Sequence, residues 1–103
     1  DDVIKSFGYR LSPVEIEAAL ESHPNVSEAA VIARHLDETK TLVSACLVPT
    51  APGAVDEAAL RAHAAQHLAA YKQPHEYHFM DHLPRTRNGK LQRSALLAIL
   101  NQQ

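Results

Sequence analysis

Apolar positions along the 103-residue chain change their period several times, and each change marks an element. In residues 1–11, Val3, Ile4, Tyr9 and Leu11 alternate loosely with polar residues about Gly8. This predicts a short hairpin, or two short strands, turning at that glycine. The period then becomes helical. Ser12-Pro13-Val14-Glu15 has the form of a capping box with proline at the first helical position. Ile16, Ala19, Leu20 and His23 follow at helical spacing, with Glu17 and Glu21 expected to face away and His23-Pro24-Asn25 to stop the helix. Residues 26–33 and 41–48 are apolar and β-branched enough for strands, joined through a polar turn at Asp37 and Glu38. Runs this apolar predict strands covered on at least one face. Asp56 caps a second helix, with Leu60, Ala64, Leu68 and Tyr71 as its buried stripe and Gln73-Pro74 as its end. Tyr77 and Phe79 alternate with His78 and Met80 in a third strand over residues 76–81, and Leu96, Ile99 and Leu100 share one face of a last helix over residues 93–100.

The sum is an α+β fold: a small sheet of about three strands with packed helices, plus an N-terminal two-stranded hairpin. The stripes Ile16/Leu20, Leu60/Leu68 and Leu96/Leu100 are expected to close one core with the strands, and a chain this long does so without staples.

Composition adds exclusions. Apolar residues make up 46% and charged residues 21%, an ordinary globular balance. A net charge of -2 argues against nucleic acid as the main partner, although Arg85, Arg87, Lys90 and Arg93 cluster locally. The single Cys46 excludes an intramolecular disulfide and gives no sign of an oxidising compartment, so a cytoplasmic location is expected. No apolar run approaches the roughly 20 residues that span a bilayer, so no membrane span is expected. The Asp1-Asp2 opening, without an initiator Met, reads as the middle of a longer protein. Seven histidines invite a metal reading, and His63 and His67 could share a helix face. HAAQH lacks the glutamate of HExxH, and no protein metal site is expected.

Chemistry concentrates at the two ends. PRTRNGK, residues 84–90, is a basic, turn-prone loop that can carry a lysine into another surface's cleft. At the other end stands DDVIKSFGYRLSPVEIE, residues 1–17. The first segment resembles the tenth core motif of the adenylate-forming superfamily and the second resembles the eighth. This superfamily comprises acyl-CoA synthetases, adenylation domains of nonribosomal peptide synthetases, and firefly luciferase. HPNVSEAAVI, YKQP and FMDHLP between them resemble the same family, so the resemblance runs the length of the chain. It covers only the small C-terminal mobile domain, residues 1–103, and not the large N-terminal domain, to which the family's ATP phosphate loop and acyl pocket belong.

The resemblance implies a two-step AMP-forming ligation, most like that of acyl-CoA synthetases. A carboxylic acid attacks the α-phosphate of ATP, which arrives with Mg²⁺, and the thiol of coenzyme A then displaces AMP. It implies that the domain rotates between the steps. Lys90 matches the lysine that serves adenylation. Gly8, Lys5 and Tyr9 match the loop that enters the thioester site and lines the CoA tunnel, Lys5 falling on a lysine that luciferase uses in its second half-reaction. Asp1 matches the hinge. Arg10, Lys72 and Arg93 are candidates for phosphate contacts with coenzyme A or AMP. The implied partners are the chain's own N-terminal domain and the substrates, together with a lysine acetyltransferase acting on Lys90 through the PxxxxGK spacing. Two readings stand beside this one: an adenylation domain loading a carrier protein, and a non-catalytic interaction module. The absence of an evident linker after Asn101-Gln102-Gln103 favours a stand-alone ligase over the first, and the lysine in PRTRNGK argues against the second.

Overall fold

The computed structural model describes residues 3–102; the hinge candidate Asp1 lies outside them. The order is β1 (Ile4–Ser6), β2 (Tyr9–Leu11), α1 (Pro13–Glu21), β3 (Val26–His35), β4 (Thr41–Pro49), α2 (Glu57–His67), a 3₁₀ turn (Ala70–Lys72), β5 (Glu76–Phe79) and α3 (Arg93–Asn101). Local chemistry sets the helix starts. The Ser12 hydroxyl accepts from the Glu15 amide at 3.3 Å, and Asp56 Oδ1 accepts from the Ala59 amide at 2.8 Å. The Glu15 carboxylate itself pairs with Lys72 at 2.9 Å.

β1 and β2 form the antiparallel hairpin. The larger sheet runs β3-β4-β5, antiparallel between β3 and β4 and parallel between β4 and β5. A parallel neighbour needs a crossover, and α2 with the 3₁₀ turn supplies it. Strand alternation divides the apolar side chains between two faces. Val31, Val43, Ala45, Leu47 and Tyr77 pack with the hairpin, α1 and α2. Ala30, Ile32, Cys46 and Val48 pack with Leu83 and with Leu96 and Leu100 of α3. The expected single core is therefore two, separated by a sheet that is apolar on both sides.

Several positions differ from expectation for identifiable reasons. Glu17 and Glu21 are not simply solvent-facing: Glu17 is half-buried, and Glu21, though exposed, also reaches the sheet. Their Oε2 atoms accept from the backbone amides of Val31 at 2.8 Å and Ala29 at 3.0 Å. Arg93 Nη1 donates to the Val31 carbonyl at 2.6 Å and to Glu17 at 3.1 Å. These side chains occupy the outer edge of β3, which would otherwise offer free backbone groups to another strand. α1 ends at Glu21, two residues before His23. Tyr71 is not in the stripe of α2, which stops at His67; it sits in the 3₁₀ turn, 45% exposed. β5 stops at Phe79, whose ring is half-exposed while Tyr77 is buried. Ile99 is exposed too, and Leu97 packs in its place.

Beyond the reach of α3, the second sheet face carries a polar network. The Glu76 carboxylate receives Arg34 Nε at 2.5 Å and Nη2 at 2.9 Å, and also the Ser44 hydroxyl. His78 Nε2 lies 3.4 Å from it. Arg34 donation, with a further bond from Ser44 and His78 close by, holds the Glu76 carboxyl well below the usual range, at about 2. Cys46 lies buried on this face, and burial with the Glu76 charge pushes its thiol up to about 12.

Candidate functional site

The two motif loops owe their shape to a glycine each. In the hairpin, Phe7 and Gly8 connect Ser6 to Tyr9, with φ of +50° and +84°. Two positive values are what a type I′ turn demands, because its twist matches that of the strands. Gly8 takes this conformation without strain, and, its chain neighbours Phe7 and Tyr9 aside, no described residue comes within 4 Å of where its Cβ would stand. Phe7 takes it at a cost of about 1–2 kcal/mol, since Cβ crowds the following carbonyl. The Ser6 hydroxyl donates to the Thr41 carbonyl at 2.6 Å and ties the hairpin to the start of β4. Tyr9 stacks on Tyr71 with centroids 4.4 Å apart. Lys5 and Arg10 stand opposite one another on the outward face, both exposed. Like charges so paired repel, and a bound anion would relieve them.

The second loop is also a tight reversal. An Arg85–Leu91 bridge closes it. The Thr86 amide donates to the Lys90 carbonyl at 2.8 Å and the Gly89 amide to the Thr86 carbonyl at 2.9 Å. Gly89 has φ of +87°, as expected of the left-handed residue that follows a type I turn in such loops. The Lys90 amide donates to Thr86 Oγ1 at 3.1 Å. Arg85 fixes the loop to the body, donating to the Gly89 carbonyl at 2.9 Å and to Glu28 Oε1 at 2.6 Å. The Lys90 side chain is exposed and has no partner among the described residues. The backbone is thus held while the cation is left available.

The remaining candidates separate. Lys72 is paired with Glu15, beside the Tyr9–Tyr71 stack. Arg93 belongs to the β3 edge. His63 and His67 do share a face, with ring centroids 4.2 Å apart, and His23 approaches His63 from α1's end. No group of three or more His, Cys, Asp or Glu among the described residues is arranged to hold a metal ion. No helix among them is long and apolar enough to cross a membrane.

The two loops do not converge. The hairpin sits at Thr41, the start of β4, while the lysine loop sits at Glu28, which pairs with Val48 near the strand's end. The seven residue steps from Thr41 to Val48 span roughly 23 Å at about 3.3 Å each. Sequence reasoning missed Phe7 and His75, whose rings meet beside Gly8 at 5.3 Å. Nothing in the local pattern distinguishes these side chains from ordinary turn and loop residues.

Residues 15–90 match the AMP-binding enzyme C-terminal domain family. The chain is 42% identical over 96 residues to an acetyl-coenzyme A synthetase of Deinococcus radiodurans, covering 93% of this chain and 15% of that protein. It is 42% identical over 95 residues to a 2-succinylbenzoate–CoA ligase of Bacillus licheniformis, covering 92% and 20%. Among solved structures it superposes on a Mycobacterium tuberculosis fatty acyl CoA synthetase with a TM-score of 0.88 at 31% identity, over 95% of this chain and 19% of that one. It superposes on the anthranilate CoA ligase AuaEII, in complex with anthranoyl-AMP, with a TM-score of 0.84 at 34% identity, over 96% and 20%. This chain belongs to the AMP-binding enzyme C-terminal domain family. It spans about a fifth or less of the length of these relatives.

Proposed function

We propose that residues 1–103 are the mobile C-terminal domain of an AMP-forming acyl-CoA synthetase, and that the two loops serve its two half-reactions in turn. One observation carries this reading: two braced loops, each presenting a different chemical element, stand at opposite ends of one sheet in a chain whose relatives include CoA ligases. In the first half-reaction a carboxylate oxygen attacks the α-phosphorus of ATP and pyrophosphate leaves, giving an acyl-adenylate. Two anions must meet there. Lys90, exposed and without a partner among the described residues, supplies the charge that lowers their repulsion and stabilises the charge that develops. Mg²⁺ would enter with ATP as its phosphate complex.

In the second half-reaction the thiol of coenzyme A attacks the acyl carbon. Its proton is lost, a C–S bond forms, and AMP departs with the oxygen of the broken acyl–phosphate bond. A narrow channel for the thiol arm needs backbone without a side chain, and the space above Gly8 supports that role. Tyr9 lines the same end, and Lys5 and Arg10 offer cations to phosphate. A cytoplasmic location accords with the lone, buried, unpaired Cys46. The availability of Lys90 also supports regulation by acetylation, which would remove its charge.

The test separates the half-reactions in the full-length enzyme. Lys90→Ala should lower adenylate formation by ~10²–10³, with thioester formation from supplied acyl-adenylate nearly spared. Gly8→Leu should do the reverse, through steric closure and a positive φ that leucine resists. Equal losses in both steps for either variant would sink the assignment.

A further inference from the structure

β3 is irregular at one place, and that irregularity decides which face Glu28 occupies. Val26 pairs with Pro49 and Glu28 with Val48, so a two-residue step on β3 opposes a single step on β4, and Ser27 is the extra residue of a β-bulge. In a regular strand Val26 and Glu28 would share a face. Here Val26 packs with Ile16, Leu20 and Leu60, while Glu28 keeps the parity of Ala30 and Ile32, which pack with Leu83 on the other face. The lysine loop begins directly after Leu83. The bulge therefore brings one carboxylate to the foot of that loop, where Arg85 meets it. Nε and Nη2 of Arg85 donate to Glu28 Oε1 at 3.1 and 2.6 Å, and Nη1 donates to the Gly89 carbonyl at 2.9 Å. That carbonyl belongs to the peptide joining Gly89 to Lys90. The amide of the same peptide donates to Thr86 Oγ1 at 3.1 Å. Both polar atoms of one planar unit are thus held, and that plane carries the Lys90 Cα.

We infer that Glu28 is a positioning residue for adenylation, acting through Arg85: the bulged carboxylate aims the guanidinium, the guanidinium holds the Gly89–Lys90 peptide, and the peptide sets where the Lys90 ammonium can reach. This rests on the role of Lys90 proposed above. Stability alone does not account for the arrangement. The two side chains are 39% and 35% exposed, and an ion pair this open to water contributes little to folding. The fork of Arg85 is what the chain of contacts requires, because a planar guanidinium serves two acceptors in fixed directions and an ammonium does not. Glu28 never touches substrate, so its loss leaves the Lys90 charge in place but poorly aimed.

The test separates aim from charge and from the ion pair as such. In the full-length enzyme, adenylation is followed by ATP–pyrophosphate exchange without coenzyme A, and thioester formation is followed from supplied acyl-adenylate. Glu28→Ala should lower kcat for exchange about tenfold, the order expected when a reacting group is displaced by less than an ångström. The KM for ATP should stay within about twofold, and so should thioester formation, which also reports an intact fold. Glu28→Gln keeps an oxygen for Arg85 and should restore most of the exchange rate. The double variant Glu28→Arg with Arg85→Glu restores an ion pair but leaves no donor for the Gly89 carbonyl, so it should remain as slow as Glu28→Ala. An unchanged exchange rate in Glu28→Ala, parallel losses in both half-reactions, or full recovery in the double variant would overturn the inference. Lys90→Ala serves as the reference. If it abolishes exchange while Glu28→Ala is silent, only the role of Glu28 falls. If Lys90→Ala leaves exchange intact, the underlying reading of the lysine loop falls with it.

Discussion

Glu76 ties all three strands of the larger sheet together, and its charge should be visible as a pH dependence of stability. The carboxylate accepts two hydrogen bonds from Arg34 of β3 and one from Ser44 of β4, with His78 of β5 nearby. These hold the folded carboxyl at about 2, against an ordinary 4.5. Its stabilising effect is therefore complete above about pH 4.5 and is lost as pH falls towards about 2, because the unfolded chain takes up the proton first. At 1.36 kcal/mol for each pH unit, the gap bounds the contribution at roughly 3–4 kcal/mol. Solvent reaches 25% of the Arg34 side chain and 21% of that of Glu76, which screens the pair to about 2–3 kcal/mol. Urea unfolding of wild type and Glu76→Gln, followed by circular dichroism from pH 7 to pH 2, isolates this group from the other carboxylates. The variant should be less stable by about 2–3 kcal/mol at neutral pH, with the difference shrinking steadily below about pH 4.5. A stability difference that stays constant between pH 5 and pH 2 would refute the argument.

Two further outcomes are expected. The Tyr77 hydroxyl is buried without a hydrogen-bond partner among the described residues, so Tyr77→Phe should be neutral or stabilise by up to about 1 kcal/mol in the same urea assay; a loss of more than that would reveal a partner. Acetylated Lys90, installed in the full-length enzyme, should reproduce the adenylation loss of Lys90→Ala and spare the thioester step, and wild-type exchange rates from the acetylated protein would end the regulatory proposal.

The elements were legible because their signals are local. Ser12 and Asp56 announce their helices by side-chain chemistry that acts within three residues, and the hairpin turn is marked by Gly8. What escaped depends on tertiary placement. Glu17 and Glu21 read as solvent-facing because helical spacing sets them off the apolar stripe. Only the neighbouring edge of β3, with amides in need of acceptors, draws their carboxylates onto the sheet. Tyr71 continues the period of α2, yet the chain leaves the helix at Leu68 and carries the ring to Tyr9. Ile99 and Leu97 compete for one side of α3, and the sheet's second face decides between them. That face was itself invisible as a separate core, because apolar runs in β3 and β4 do not say how many layers cover them. The candidate site followed the same division. Motif spacing marked Gly8 and Lys90 but could not show that they lie at opposite ends of the sheet, and it gave no weight to Phe7.

That separation bears directly on how the domain would work. Each loop is pinned to the body: the hairpin by Ser6 to Thr41, the lysine loop by Arg85 to Glu28. Each glycine has a φ near +85°, supporting a sharp turn without slack. Neither loop can therefore extend across the roughly 23 Å of strand between them while keeping those bonds. The sheet that separates them is packed on both faces and resists bending. If Lys90 and Gly8 serve successive steps at one reaction centre, the compliance must lie outside this body, and the domain must turn as a unit to exchange one end for the other. The braces that fix each loop then have a second consequence. On the proposed reading, they would convert a rotation of the whole domain into accurate placement of a single ammonium group in one orientation and a single bare turn in the other.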